Sequence, residues 1–415
     1  MSLILLLLFV AKNISNLVAQ IEHMSLVPFH RNIAHFDLDA FFISVERLKD
    51  SKLNGIPLIV GGSSDRGVVA ACSYEARAFG VHSAMPMKLA LRLCPNARTV
   101  KGDYDKYSEF SRTVTDIISK EVPVLEKASI DEFYMDLTGM DKFFGCSKFT
   151  DELKAKVTRE TGLPISYALA SNKLISKVAT NEVKPNGQTE IQFGNEKSYL
   201  APLKIEKMPG IGENTSKLLR QMGVNTIKTL SEIPPRLMES RFGKSGLSLS
   251  RKANGIDNSP VVPYSEQKSI SKEETFESDT IDVHMLHAEL VRLTENVTFQ
   301  LRQQRKLCGC ITVKLRYSNF DTYTKQASIP YSASDAVILD TVKELFKRLY
   351  DKRLLIRLIG VRLSSLVYGH HQINLFTETE ESIRLYQALD HIRLKFGDAA
   401  VFRGTARHLI HPKCT

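Results

Sequence analysis

The chain has 415 residues, enough for about two to four domains, and it is 43% hydrophobic and 25% charged. That balance is typical of a folded globular protein and excludes a disordered or fibrous chain. There are 56 lysines and arginines against 46 aspartates and glutamates, so the formal net charge is +10. This excess predicts an anionic partner, nucleic acid before a membrane surface, although many basic proteins bind neither.

Six cysteines are scattered along the chain. Cys308 and Cys310 are the only two that lie close in sequence, and no second pair is near enough to complete a zinc site. We therefore expect reduced thiols and a cytoplasmic protein.

The N-terminal segment has an apolar run over residues 3–10 that is far too short to span a bilayer. It also lacks the preceding basic residues of a secretory signal. We interpret residues 1–23 as an upstream extension ahead of Met24, and residues 1–30 as outside the fold. A degenerate signal or membrane anchor, or an arm of unknown purpose, are the alternatives.

Residues 32–50 predict a strand, a tight turn and a helix, with Asp39 as the N-cap of that helix. Short strands and helices then alternate up to residue 192, which favours an α/β or α+β core. The strands are predicted over 55–62, 66–73, 124–137 (two strands with a bend between them) and 164–171, and the helices over 74–95, 103–121, 148–162 and 172–185.

The sequence changes in character from about residue 193. Residues 208–255 predict short helices separated by glycines, in a region where basic residues outnumber acidic ones. A polar, extended stretch follows, and residues 273–368 then combine two long helical patterns with strand patterns. This part predicts a separate α/β unit. The chain closes with a short apolar motif and one more helix.

Asp131 and Glu132 stand side by side in the strand-like segment 127–137. Successive side chains of a strand point to opposite faces, so two neighbouring acids can converge only at a strand end or a bend. An exposed turn would explain them without any function. Asp37, however, ends another apolar strand in the same region. Carboxylates from two strand ends are typical ligands of Mg²⁺ or Mn²⁺ rather than zinc.

Three further side chains suit the phosphates of a nucleotide. Tyr74 and Arg77 are three residues apart on one predicted helix face, and Lys184 precedes a Pro-Asn-Gly turn. A guanidinium can bind phosphate oxygens in a bidentate manner. Taken singly, Arg77 and Lys184 are more often ordinary surface charges, but together with the acids they fit a triphosphate site.

Residues 209–230 begin with a Gly-Ile-Gly turn at the predicted start of a helix and have repeated apolar spacing on both sides. Backbone N–H groups of Gly210, Ile211 and Gly212 would face a phosphate there. This is the pattern of a helix–hairpin–helix, which grips the DNA backbone without sensing base identity. An ordinary helical hairpin is the alternative.

In this order, HFDLDAFFISVE, ACSYEARAFGV, ASIDEFYMDL, SNK, KPNG and PGIG resemble the motifs of the Y-family DNA polymerases, and of their bacterial members in particular. The resemblance covers roughly residues 31–370. It implies an α+β multidomain fold, a right hand with palm, small fingers, helical thumb and an α/β little finger. The implied segments are palm 31–36 and 103–192, fingers 37–102, thumb 193–260, linker 261–268, little finger 269–371, and a motif and tail 372–415.

Matched position by position, the resemblance implies that Asp37, Asp131 and Glu132, with the Leu38 carbonyl, hold two Mg²⁺ ions, for which Mn²⁺ could substitute. Phe42 corresponds to the steric gate that excludes a ribose 2′-OH. Phe41, Tyr74, Arg77 and Lys184 correspond to contacts with the incoming dNTP. Two positions depart from the pattern, since Ala71 and Ser73 stand where relatives often carry Thr and Asn. This places in doubt fine contacts near the nucleotide and not the reaction.

The implied activity is template-directed DNA synthesis of low fidelity, with translesion capacity and no proofreading exonuclease. The enzyme would be a monomer that binds primer–template DNA and no membrane. Residues 372–376, QINLF, resemble the bacterial sliding-clamp motif, with Gln372, Leu375 and Phe376 as the contacts. A buried strand end is the alternative there. We expect the helix after it to pack against the little finger.

Three other functions compete with this interpretation. A catalytically inactive family member could act as a DNA-binding scaffold recruited to the clamp, but it would be expected to lose the acids. A nucleotide cyclase could use a similar core, although the helix–hairpin–helix argues against it. A structure-specific nuclease would need more carboxylates near the metal.

Overall fold

The computed structural model describes residues 30–62, 66–140, 145–263, 266–350, 354–369, 380–397 and 400–404. The chain forms two units that divide between residues 264 and 265, inside the segment predicted as a linker. Within these described ranges, every helix is too short or too polar to cross a bilayer. The interpretation of residues 1–23 and the motif at 372–376 lie outside the described residues.

The first unit contains eight strands and eleven helices in its described part. The strands are β1 Ile33–Leu38, β2 Leu58–Gly61, β3 Val69–Cys72, β4 Arg98–Val100, β5 Val124–Lys127, β6 Glu132–Asp136, β7 Ile165–Ala170 and β8 Gln188–Glu190. The helices are α1 Phe41–Lys49, α2 Tyr74–Arg77, α3 Met87–Leu93, α4 Tyr104–Ser119, α5 Cys146–Thr161, α6 Lys173–Glu182, α7 Glu196–Leu200, α8 Glu213–Gln221, α9 Ile227–Glu232, α10 Pro235–Phe242 and α11 Lys244–Ala253.

The larger sheet of this unit has the order β5-β6-β1-β7-β8 and places β1 at its centre. Strand β1 is buried along its whole length because both of its faces are covered. Ala34, Phe36 and Leu38 face the main hydrophobic core, which also takes the apolar side of α4. His35 faces the other way and contacts Thr180 of α6. Asp37 is two residues further along the strand and shares the face of His35.

A second sheet, of order β3-β2-β4, carries the short helices α2 and α3. The prediction of one mostly helical segment over 74–95 is wrong in its middle part. Helix α2 ends at Arg77 and α3 begins only at Met87, directly after Pro86. A proline has no backbone N–H and is accepted at the start of a helix but not within one, which explains the break.

The turn between β1 and α1 also differs from the prediction, since Asp39 is not the N-cap. That position belongs to Ala40, which has φ 43° and ψ 49°, and no side chain caps the helix. A left-handed alanine is strained, so the surrounding contacts must hold it in place. Among them, Asp39 N–H donates to the Pro164 carbonyl and Ser44 Oγ donates to the Asp39 carbonyl. The carboxylate of Asp39 is therefore free to bond elsewhere.

Helices α8 to α11 form a small helical bundle whose hydrophobic core is shared with β7 and α6. Buried apolar side chains from each helix meet there, and Gly246 of α11 lies so close to α10 that a Cβ would come within 2.0 Å of the Met238 carbonyl oxygen. Glycine is required at this close approach.

The second unit is a four-stranded antiparallel sheet of order β11-β10-β12-β9, covered by helices. Its elements are β9 Ser269–Thr280, α12 Val283–Gln303, β10 Lys306–Tyr317, β11 Thr322–Ser332, α13 Asp335–Leu349, β12 Ile356–Tyr368 and α14 Glu380–Phe396. The core lies between the sheet and the buried faces of α12 and α13. This is the α/β arrangement that the sequence predicts for the region.

Helix α14 packs against this second unit, which confirms the expectation for the segment after QINLF. Arg302 of α12 donates to both carboxylate oxygens of Asp390, at 2.7 and 2.8 Å. Arg393 of α14 donates to Glu295 at 3.2 Å, and Tyr386 is buried at the same interface. Charged groups that pair in this way satisfy one another, so the helix is a fixed part of the unit.

Candidate active site

The predicted metal-binding acids lie at one end of two neighbouring strands. Asp37 and Glu132 are directly opposite each other in the antiparallel pairing of β1 with β6, so their side chains lie on the same face of the sheet. Asp131 precedes the first residue of β6, and its carbonyl accepts a 3.0 Å hydrogen bond from Leu38 N–H. The structure therefore brings the three acids together at a strand end, the arrangement that the sequence indicated.

Each acid has a partner within the protein. Lys184 Nζ lies 2.6 Å from Asp37 Oδ1, and Lys177 Nζ lies 2.6 Å from both carboxylate oxygens of Glu132. Asp131 Oδ1 accepts a 2.6 Å hydrogen bond from Ser129 Oγ. Lys177 was not among the predicted site residues, because a lysine on a helix usually marks a solvated face. The sequence indicates only that Lys177 follows Lys173 by about one turn of the helix, so that the two ammonium groups share one face of α6.

Asp37 is the most deeply buried of the three acids and is 4% exposed. Burial raises the pKa of Asp37 to about 7, and the nearby carboxylates Asp131 and Glu132 raise it as well, while Lys184 opposes them. A buried carboxylate whose charge is compensated by one lysine alone needs further positive charge to stay ionised at neutral pH. This electrostatic environment favours a bound cation.

His35 was also missed by sequence analysis. It is fully buried, and its ligand atom lies within 4.8 Å of a carboxylate oxygen of Asp37 and of one of Glu132, with which it forms a possible metal-binding group. Burial, and next the charge of Lys177, hold the pKa of His35 well below its usual value, so the ring is neutral. Nδ1 lies 3.0 Å from Thr180 Oγ1, whereas Nε2 has no hydrogen-bond partner among the described residues.

The donor set fits a divalent cation. Carboxylate oxygens on neighbouring strands are the ligands that Mg²⁺ and Mn²⁺ prefer, and one imidazole nitrogen of His35 lies within 4.8 Å of both carboxylates. Asp131 does not belong to this closest group, because its carboxylate is turned onto Ser129.

Apart from Lys184, which follows α6, the predicted nucleotide contacts lie on α1 and α2. Arg77 Cζ stands 4.7 Å from the centre of the Tyr74 ring, so the two side chains share one face of α2. Phe42 stacks on Tyr107 with ring centres 4.2 Å apart and an interplanar angle of 12°. Phe41 is buried in the core, 3% exposed, and could meet a substrate only through its backbone.

Ser73, one of the two positions that depart from the family pattern, has a local structural role. Its hydroxyl accepts from Ala76 N–H and caps α2, and it also accepts from Leu58 N–H of β2 at 3.0 Å. Serine is a good N-cap, so the position keeps a local structural task. Ala71 pairs with Val60 between β2 and β3.

The predicted DNA-backbone turn also has the expected local form. Gly212 is the N-cap of α8 and Gly210 has φ +101°, while Ile211 is buried. Lys252 Nζ lies 3.3 Å from the Pro209 carbonyl oxygen. A cleft of about 460 Å³ beside this turn is lined by Lys244, Leu247, Ser248, Arg251, Lys252, Ile256, Asp257 and Asn258.

Comparisons with known proteins place this geometry in a family. The impB/mucB/samB family model matches residues 36–181, the C-terminal domain model of the same family matches residues 267–375, and a DNA polymerase-iota thumb domain model matches residues 206–257. These matched ranges contain the acids, the little-finger sheet and the glycine turn of the thumb.

Curated relatives and a solved structure agree with the family models. DNA polymerase IV of Dehalococcoides mccartyi is 39% identical over 383 residues, which cover 91% of this chain and 98% of that protein. DNA polymerase IV of Streptococcus pneumoniae is 37% identical over 342 residues, covering 80% and 96%. A Y-family DNA polymerase chimera superposes with a TM-score of 0.72 at 27% identity, covering 81% of this chain and all of that one. The chain belongs to the Y family of DNA polymerases.

Proposed function

We propose that Asp37, Asp131 and Glu132 are the catalytic centre of a template-directed, low-fidelity DNA polymerase that copies damaged templates. The observation that carries this proposal is the meeting of the three acids at the paired ends of β1 and β6 in a Y-family chain. The presence of all three acids argues against an inactive DNA-binding scaffold. The reaction joins a dNTP to the 3′-OH of a primer, as the family membership supports.

The acids, with the Leu38 carbonyl, would hold two Mg²⁺ ions, and Mn²⁺ could substitute. When bound, such a pair activates the primer 3′-OH and neutralises the charge of the triphosphate and the leaving pyrophosphate. Ser129 orients Asp131, and Lys177 holds both oxygens of Glu132. The Lys177 contact holds the Glu132 carboxylate close to that of Asp37, which is the positioning that phosphoryl transfer requires. The Asp131 carboxylate would have to turn from Ser129 to join them.

The triphosphate would lie against Tyr74, Arg77 and Lys184. Lys184 is paired with Asp37 at 2.6 Å, and its ammonium would be available to a phosphate when Asp37 serves as a metal ligand. The ring of Phe42 would lie under the sugar, held in place by its stacking on Tyr107. Arg77 supplies a guanidinium that suits phosphate oxygens.

The experiment that tests the assignment of the acids is primer extension by variants in which each carboxylate becomes the amide of the same shape. Because each variant loses the charge and keeps the volume, a loss of extension reports on metal binding and not on packing. The matched control is Glu126→Gln, since Glu126 binds Lys173 with both oxygens at 2.6 and 2.7 Å, as Glu132 binds Lys177.

The thumb turn would hold the DNA backbone through the N–H groups of Gly210 and Gly212. The N–H of Ile211, also predicted as a contact, already donates to the Met208 carbonyl at 3.1 Å. A Cβ built on Gly212 meets nothing within 4 Å, and the residue has φ −84°, so the fold tolerates a larger side chain there. Such a side chain would cover the N–H groups from the outside. We expect Gly212→Val to weaken primer–template binding about tenfold, the value of a lost charge-assisted hydrogen bond, and equally for all DNA sequences.

Fluorescence anisotropy over a salt series measures this effect. Wild-type affinity should fall steeply with salt because phosphate contacts release counterions. Gly404→Val, at another glycine with open space around its Cβ, is the control and should bind like wild type. Equal binding by Gly212→Val and wild type, or a strong preference for one DNA sequence, would refute the proposed grip.

A bacterial sliding clamp is the proposed protein partner, bound by Gln372, Leu375 and Phe376. Tethering raises the effective concentration of the polymerase at the primer end without any new contact in the active site. Burial of a large apolar side chain contributes about 1.5–3 kcal/mol. We therefore expect the double change Leu375→Ala, Phe376→Ala to remove most clamp affinity and to leave extension without clamp unchanged.

The measurement is product length with and without loaded clamp. Asn374→Ala, within the motif but at a variable position, is the control and should be stimulated like wild type. If the double variant is stimulated equally well, QINLF is not the tether; if it loses activity without clamp, the segment is structural. We further propose that the enzyme works as a cytoplasmic monomer.

A further inference from the structure

Asp39 is a buried acid that no part of the proposed mechanism uses. It is 2% exposed and follows β1 by one residue, beyond Leu38. A carboxylate in such a place costs free energy unless donors surround it. Ser166 Oγ of β7 lies 2.9 and 2.8 Å from the two oxygens of Asp39, and Asn186 N–H donates to Oδ2 at 2.7 Å. The third donor is Tyr74 OH, 3.3 Å from Oδ1.

The first two donors fix the turn that carries Lys184. Asn186 is two residues after Lys184, and Gly187 N–H donates to the same Ser166 hydroxyl at 3.2 Å. Lys154 also holds the turn, because its Nζ donates to the Asn186 carbonyl at 2.9 Å. A Cβ at residue 187 would come within 1.9 Å of the Val183 carbonyl oxygen, so the turn has little freedom to shift.

The third donor belongs to the smaller sheet region, which carries α2. Burial, and next the charge of Asp39, raise the pKa of Tyr74 well above its usual value, so the phenol stays protonated and donates. Arg77 in turn rests on the Tyr74 ring. One carboxylate thus joins the turn of Lys184 to the helix of Tyr74 and Arg77.

We propose that Asp39 is a positioning residue that sets the geometry of the triphosphate-binding side chains Lys184 and Tyr74. This inference rests on the proposed function, in which those two side chains meet the incoming nucleotide. Asp39 itself touches no reacting atom; it acts through the backbone of the turn and the phenol. Its loss would misplace the ammonium and the phenol together, while the metal-binding acids would remain.

The test is single-nucleotide incorporation by Asp39→Asn, with KM for the dNTP separated from kcat. The amide keeps the volume but cannot accept from all three donors. We expect KM for dNTP to rise about tenfold, the value of one charge-assisted hydrogen bond that the Asp39 carboxylate no longer accepts. The Kd for primer–template should stay within about twofold, because Asp39 holds only side chains proposed to meet the nucleotide. Ser166→Ala, which leaves the acid in place, should show a smaller rise in KM.

A double-mutant cycle with Lys184→Ala identifies the route of the effect. If Asp39 acts through the Lys184 turn, the fold increase in KM of the double variant should be well below the product of the fold increases of the two single variants. Asp335→Asn is the control for general destabilisation, since Asp335 is an equally buried acid bonded to Thr298 and Arg302 in the second unit. It should lower the melting temperature without changing KM.

The outcomes are distinguishable. If Lys184→Ala leaves KM for dNTP unchanged, the proposed triphosphate site is wrong and the inference fails with it. If Lys184→Ala raises KM but Asp39→Asn and Ser166→Ala do not, or if the effects of Asp39→Asn and Lys184→Ala multiply, the inference alone is overturned.

Discussion

Asp131→Asn and Glu132→Gln should each slow primer extension by on the order of 10³-fold or more, because several kcal/mol of charge stabilisation disappear from the reacting centre. Both substitutions keep the shape of the side chain and remove its charge. DNA binding should be largely preserved, since the proposed contacts with the DNA backbone lie on the thumb turn. Gel-based extension at physiological Mg²⁺, with anisotropy for DNA binding, measures both quantities.

The control Glu126→Gln separates the loss of a metal ligand from the loss of an ion pair. It breaks the ion pair of Glu126 with Lys173, whereas Glu132→Gln breaks that of Glu132 with Lys177. The two lysines are one turn apart on α6. If the role of Glu132 is only to pair with a lysine, the two variants should lose activity equally. Extension near the wild-type rate by Asp131→Asn or Glu132→Gln would contradict the metal assignment.

Phe42→Ala should admit ribonucleotides. The ring is held by its stacking on Tyr107, whose hydroxyl donates to Glu46 at 2.7 Å. Forcing an extra group into packed space costs about 1–3 kcal/mol, so removing the ring should reduce discrimination between dNTP and rNTP roughly 10- to 100-fold. The measurement is the ratio of kcat/KM for the two nucleotides opposite the same template base.

Phe42→Tyr separates the bulk of the ring from its chemistry. Tyrosine retains the volume and can stack on Tyr107, so we expect this variant to exclude ribonucleotides as wild type does. An unchanged ratio in Phe42→Ala would mean that another residue is the gate. Lost discrimination in both variants would mean that the precise placement of the phenylalanine, and not its bulk, is decisive.

The acids could be located from sequence because the strand period restricts them. Neighbouring acids in an apolar strand can share a site only at its end, and Glu132 is indeed the first residue of β6, opposite Asp37. The fold class followed from the alternation of strands and helices and from the ordered motifs.

Other residues escaped prediction because their role depends on tertiary contacts. Asp39 stands before a helix and has the side chain of an N-cap, but Ala40 occupies that position and the carboxylate bonds to Ser166, Asn186 and Tyr74. An N-cap and a long-range acceptor look alike in sequence. His35 lies two residues before Asp37 on β1 and therefore on the same face, yet a histidine on a buried strand is more often part of the core.

Template-directed, metal-dependent DNA synthesis is measured most directly by the incorporation of single nucleotides by the wild-type enzyme on a primer–template. Each dNTP would be offered alone opposite each template base, with Mg²⁺, with chelator, and with Mg²⁺ restored. We predict that the complementary dNTP is added most efficiently, that chelation stops addition and Mg²⁺ restores it, and that Asp37→Asn shows no addition under any of these conditions. Addition that ignores the template base, or Mg²⁺-dependent synthesis that survives in Asp37→Asn, would contradict it.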